Sequence, residues 1–256
     1  MLNVLYCVLK AEHLKYRRTT VRRLIVPTPL LFMLIGWLAF IFMPQIAARP
    51  WSQLLATVYN WWPVTFIPFG TALFASLVAQ QEKKAGNFHH LRVHPHAPSL
   101  YWIGKIAIMG YYTFLMTSLL MIDTVLVGRI ITTDPIPWGT ILFGGLLMWF
   151  ASLPLIPLQL WAATWKGTSL GMLIGALGFL IGVVVAPKAY WMAVPWSWPI
   201  RLMSPLVGVH PNGVLLKADD PLWDSSVIPV GIVLSIVATV LLTGITALWF
   251  HQREAR

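Results

Sequence analysis

Six apolar runs alternate with polar connections along the chain: Leu24–Phe42, Tyr59–Ala79, Ile103–Gly128, Trp138–Trp161, Thr168–Pro187 and Val227–Phe250. Each is close to the roughly 20 residues that a helix needs to cross a ~30 Å hydrocarbon core. A membrane β-barrel would show shorter segments of alternating polarity, and that pattern is absent. The periodicity therefore predicts an all-α membrane protein with six transmembrane helices in a single domain spanning 1–256.

Three connections are longer than turns. In the first, 1–23, Leu2, Leu5, Tyr6, Leu9, His13 and Tyr16 recur at helical spacing, which predicts an interfacial helix on the inner leaflet. The second, 80–105, begins as a continuation of the second run. It meets Gly86-Asn87 and then Pro95 and Pro98, so a short helix followed by an extended turn is expected. The third, 188–226, holds Trp191, Trp196, Trp198 and Trp223 among five prolines. It is too broken to span and too apolar to float free in water. Re-entrant or surface-lying helices near the outer leaflet are expected between the fifth and sixth spans.

Composition strengthens the membrane assignment. Of 256 residues, 58% are hydrophobic and 10% charged, against about a quarter charged in ordinary soluble domains. The net charge of +10 does not form a nucleic-acid patch, because the basic residues sit in short segments beside the apolar runs. With the N-terminus inside, thirteen of the 18 lysines and arginines fall on the cytoplasmic side. Both termini are then cytoplasmic, as expected for a multi-pass protein of a bacterial inner membrane. The first apolar run is too long for a signal peptide and lacks a small-residue cleavage site after it. The single cysteine, Cys7, excludes an internal disulfide framework.

Catalytic motifs are missing. There is no GxxxxGK[ST] phosphate loop, no HExxH and no G-x-S-x-G, so the chain is expected to be no enzyme and to carry no ATPase site of its own. His89, His90, His94 and His96 lack the cysteine or carboxylate support of a metal site, and we assign them to a polar contact loop, with no metal. Asp123 is the acidic residue deepest within a run. It reads first as a helix-end or packing group and second as a substrate-path group. Gly171, Gly175, Gly178 and Gly182 form GxxxG steps that predict close helix packing, within the chain or against a second copy. Pro154 and Pro157 should kink the fourth span near Gln159, a candidate buried polar contact.

The segment Glu82-Lys83-Lys84-Ala85-Gly86-Asn87-Phe88, then Pro95, then Gly104-Lys105, is similar to the loop after the second helix of ABC-2-type permeases. Trp196-Ser197-Trp198-Pro199 and Pro211-Asn212-Gly213 resemble the outer segment of the lantibiotic-immunity permeases of that class. The resemblance runs over nearly the whole length and implies a type V-like half-transporter. Such a chain pairs with a second permease copy or paralogue and with two copies of a cytoplasmic ABC ATPase. ATP and Mg would be bound on that ATPase, with no cofactor on this chain. The cargo implied is a lipid-associated antimicrobial peptide exported for immunity. By the same resemblance, Glu82, Lys84, Gly86, Phe88 and Leu91 belong to an ATPase-coupling helix. Phe88 and Leu91 would be its apolar anchors, and Glu82 would brace it against the N-terminal helix. Asp123, Gln159, Trp196 and Trp198 are the substrate-path candidates. A permease for another small molecule, drug, ion or lipid is the nearest alternative, and an intramembrane enzyme or a peptide-sensing component the more distant one.

Overall fold

The computed structural model describes residues 2–16, 19–42, 51–86, 88, 96–132 and 134–253. Its helices are α1 (Leu2–Lys15), α2 (Thr20–Leu24), α3 (Pro27–Phe42), α4 (Trp51–Trp61), α5 (Ile67–Lys84), α6 (Pro98–Ile131), α7 (Trp138–Ser152), α8 (Leu155–Lys166), α9 (Thr168–Val185), α10 (Trp198–Val207) and α11 (Val227–Gln252). Five stretches among the described residues are long and apolar enough to cross a membrane: Trp51–Lys84, Pro98–Ile131, Trp138–Lys166, Thr168–Val185 and Val227–Gln252. The first apolar run contributes only the 16 residues of α3, about 24 Å of helix. That falls short of the ~30 Å core, and the residues that follow, 43–50, lie outside the described set.

Proline shapes two spans. Pro63 and Pro68 cannot donate to the preceding turn, and the chain between α4 and α5 widens into a π-helical turn at Trp62–Phe66. The wider turn stacks Trp62 on Phe66 at 5.0 Å, and Phe32 of α3 meets both rings edge-on. At Leu153–Pro154 the fourth span breaks between α7 and α8. Beside that break, Gly110, Phe114, Trp149, Leu153 and Ile156 line an apolar cleft of about 450 Å³.

Two large apolar clusters, with a smaller one at Val64, Ala186 and Ile200, form the core among the described residues. One joins Phe32, Trp51, Tyr59, Trp62, Leu120, Met148, Trp191, Trp198 and Leu202. The other joins Val8, Tyr16, Phe74, Trp102, Met109, Leu160 and Phe250. Leucines, valines and isoleucines on the outward faces of α9 and α11, such as Leu177, Val184, Val240 and Leu248, stay exposed, as lipid contact requires. The segment 188–226 folds as 3₁₀ turns at Trp191–Ala193, Pro195–Ser197 and Pro221–Trp223 around the amphipathic α10. Arg201 of α10 is buried and donates to the Leu222 carbonyl at 3.1 Å, linking α10 to the 3₁₀ turn at Pro221–Trp223.

Candidate functional site

At one end of the bundle, three segments distant in sequence are joined by buried charge. Helix α1 turns Val8, Glu12 and Tyr16 inward, and Glu12 is only 1% exposed. This differs from the expected face, since Leu5 and Tyr6 point outward and are available to lipid. Val8 and Glu12 fit against Gly104 of α6, where a β-carbon would lie 2.7 Å from the Val8 methyl. One residue on, Lys105 is fully buried. Its ammonium donates to Glu12 Oε2 at 2.8 Å and to Glu82 Oε1 at the end of α5. Lys15 donates to Glu12 Oε1 and to Glu82 Oε1, each at 2.7 Å. Among the described residues, two carboxylates and two ammoniums thus meet in one junction. Gln81 adds a hydrogen bond to the Lys15 carbonyl at 3.3 Å.

The energetics of this junction are those of a buried ion network. Burial taken alone would lower the pKa of Lys15, but the carboxylates of Glu12 and Glu82 outweigh it and hold the ammonium above its ordinary value. Removing one partner of such a network leaves an uncompensated buried charge, which typically costs about 3–5 kcal/mol. The arrangement is therefore rigid: α1, the end of α5 and the start of α6 must move together or break these bonds. Aromatic contacts reinforce it, since Tyr16 packs on Phe74 and Tyr112, and His13 stacks on Tyr112.

The connection leaving the junction does not continue as a helix. Helix α5 stops at Lys84, Gly86 takes φ 112° and Phe88 takes φ 65°. Glycine adopts that region freely, whereas a phenylalanine does so at a cost of roughly 1–2 kcal/mol. The Phe88 ring is buried, edge-on to Phe250 of α11 at 5.7 Å, with the Arg253 guanidinium 5.9 Å from its centre. Phe88 is thus an internal contact with the last helix and not an outward-facing anchor. The helical face expected to pair it with Leu91 ends before it, and Leu91 lies outside the described residues. Arg253 also donates to the Thr164 carbonyl at 3.0 Å, so the end of α11 clasps both this connection and the end of α8. Lys84 and Gly86 are exposed.

The four glycines of α9 find their partners within the chain. A β-carbon on Gly171 would lie 2.8 Å from Ser76 Oγ and 3.1 Å from the Ala163 Cβ. One on Gly175 would lie 2.5 Å from the Ala72 Cβ and 3.0 Å from the Pro68 carbonyl. Gly178 and Gly182 face Trp196. Gln159 and Trp196, two of the substrate-path candidates, therefore border the same face of α9. The other two lie elsewhere: Trp198 is buried and donates to the Met192 carbonyl at 3.2 Å, and Asp123 is buried on α6 between Leu120 and Thr124. Among the described residues no group of histidine, cysteine and carboxylate side chains converges on a metal position. Of the four loop histidines only His96 is described, and it is exposed.

Glu12 and Lys105 went unrecognised as site residues in the sequence. The available signal was a lysine set inside an apolar run, which no soluble face explains. No curated protein and no solved structure matches the chain. A family model described as ABC-2 family transporter protein matches residues 8–186, which is more than half of the chain and spans every member of the ionic junction and the glycine face of α9. By that match, this multi-helix membrane chain belongs to the ABC-2 family of transporter proteins.

Proposed function

We propose that this chain is the permease subunit of a bacterial ABC exporter that moves a lipid-associated, lantibiotic-like peptide off the membrane for self-immunity. The family is a membrane transport component without its own ATPase site, and an ABC ATPase partners it. In the proposed assembly two ATPase copies bind ATP and Mg in the cytoplasm, and two permeases, identical or paralogous, each cross the inner membrane six times. The sixth crossing is supplied by the first apolar run, Leu24–Phe42, and both termini are cytoplasmic.

The observation that carries this reading is the ionic junction of Glu12, Lys15, Glu82 and Lys105. A permease without a motor must receive force through a stiff cytoplasmic contact. The junction joins an interfacial helix to the two spans that flank the connection 85–97, so a push on that connection moves three helices at once. The exposed Lys83, Lys84 and Gly86 sit where an ATPase would press. At the opposite end, exposed Tyr190, Trp223 and Leu215 suit an amphipathic peptide at headgroup level, where a ring meets both acyl chains and water.

Two measurements test the assignment. A sensitive host expressing this chain with its ATPase should gain resistance to a lantibiotic, and a host with either protein alone should not. In the same cells, a cysteine at the exposed Asn212 should react with an impermeant maleimide, while the exposed Cys7 should react only after lysis. Resistance from the chain alone, or the reverse labelling order, contradicts the reading.

A further inference from the structure

The glycine face of α9 has a feature that close packing does not require. Gln159 of α8 is 0% exposed, and neither its amide nitrogen nor its amide oxygen has a hydrogen-bond partner among the described residues. Ser76 Oγ of α5 and the Trp196 indole N–H are unpartnered too. All three groups meet the same stripe of α9. Ser76 lies against Gly171, Gln159 Nε2 lies 3.7 Å from the β-carbon position of Gly175, and the Trp196 indole nitrogen lies against Gly178. They are thus spaced about one helical turn apart, and Gly175 stands near the middle of α9, hence near the centre of the bilayer. Buried amides and hydroxyls are nearly always hydrogen-bonded, and in hydrocarbon the penalty for leaving them bare is greatest.

The same seam is built to part. Helix α9 offers α5 and α8 glycines rather than interlocking side chains, so it can slide or tilt with little steric resistance. Its outer face, with Leu173, Leu177, Leu180, Ile181 and Val184, is exposed. It joins α8 through Gly167 at φ 87°, a single-residue pivot.

We propose that the seam between α9 and the α5–α8 pair opens into a binding site for uncharged hydrogen-bonding groups, with Gln159 as its central contact. Gln159 supplies a donor and an acceptor, Ser76 a hydroxyl and Trp196 a donor, and no charged side chain is among them. The chemistry therefore fits an amide or hydroxyl and disfavours an ion. Under the permease reading, on which this identification of the ligand rests, the group is the backbone amide of a membrane-embedded peptide.

The test uses the full chain in lipid nanodiscs and a diazirine-bearing N-decylacetamide, with undecane and decyltrimethylammonium as apolar and charged controls. The amide should raise the thermal midpoint by about 2 °C or more beyond either control, and its photolabel should map to α8 and α9. Gln159→Met, unbranched and of similar volume, should melt no lower than wild type and should need about fivefold more amide for the same shift. Equal responses to all three probes, a label outside the seam, or a Gln159→Met chain with full amide response would overturn the proposal. A variant that melts well below wild type would make Gln159 a packing residue and overturn it equally. The assay involves neither ATPase nor transport, so failure of the seam and failure of the permease reading appear in different experiments.

Discussion

Lys105 and Glu12 lie 93 residues apart in the chain and 2.8 Å apart in space, and neither side chain reaches solvent. A lysine placed inside an apolar run is thereby paired with a carboxylate from α1, a helix of 14 residues, too short to cross a ~30 Å core. Among the described residues, Glu82 and Lys15 join the same cluster, so each of these four charges has at least two opposite partners.

Lys105→Ala should be among the most destabilising substitutions in the chain. It removes a buried ammonium from both Glu12 and Glu82, and the expected loss is about 3–5 kcal/mol. Denaturation in detergent checks this. Adding Glu12→Gln to Lys105→Met should cost clearly less than the sum of the two single changes, since the carboxylate left bare is then neutral.

Raising the pH should loosen the same junction from its exposed side. The native pKa of Lys15 is raised, so its contribution is complete below the ordinary lysine value of about 10.4. As pH climbs from there through the raised native value, the folded state loses that contribution. Wild type should therefore melt progressively lower above about pH 10.4, and Lys15→Arg, which stays protonated, should show a smaller alkaline loss.

Gly175 of α9 and Gly244 of α11 should respond in opposite ways to a methyl group. Gly175→Ala brings a methyl group to 2.5 Å from the Ala72 Cβ and 3.0 Å from a backbone carbonyl, so α9 must shift. Overpacking of this kind costs about 1–3 kcal/mol. Gly244→Ala, with nothing within 4 Å of the new methyl, should be neutral or raise the melting point, since alanine favours a helix. Equal effects at the two positions would contradict the packing described for the seam.

Much of this architecture was legible in periodicity, and its limits follow from range. Five of the six apolar runs coincide with helices long and apolar enough to cross a membrane, because hydrocarbon thickness acts on each run separately. The Gly171–Gly182 spacing announced a close helix contact, but not that Ala72, Ala163 and Trp196 would supply it. Lys105 counts toward the basic side in the sequence, yet its burial depends on Glu12 and Glu82, 93 and 23 residues away. No local pattern encodes such pairings. Phe88 misled for the opposite reason. Its three-residue spacing from Leu91 invited a helical face, but the positive φ at Gly86 and Phe88 ends the helix and turns the ring onto Phe250.

The central claim is that the junction transmits force from the ATPase to the spans, and Glu82→Gln tests it most directly. The change keeps the shape of a side chain that accepts from both Lys15 and Lys105 while removing its charge. The measurement is lantibiotic-stimulated ATP hydrolysis by the permease–ATPase complex in proteoliposomes, alongside ATPase yield on co-purification. We predict wild-type co-purification per folded permease, with stimulation per complex lowered at least about tenfold, as a loss of roughly 1.4 kcal/mol or more in coupling requires. Full stimulation by the Glu82→Gln complex would contradict the account.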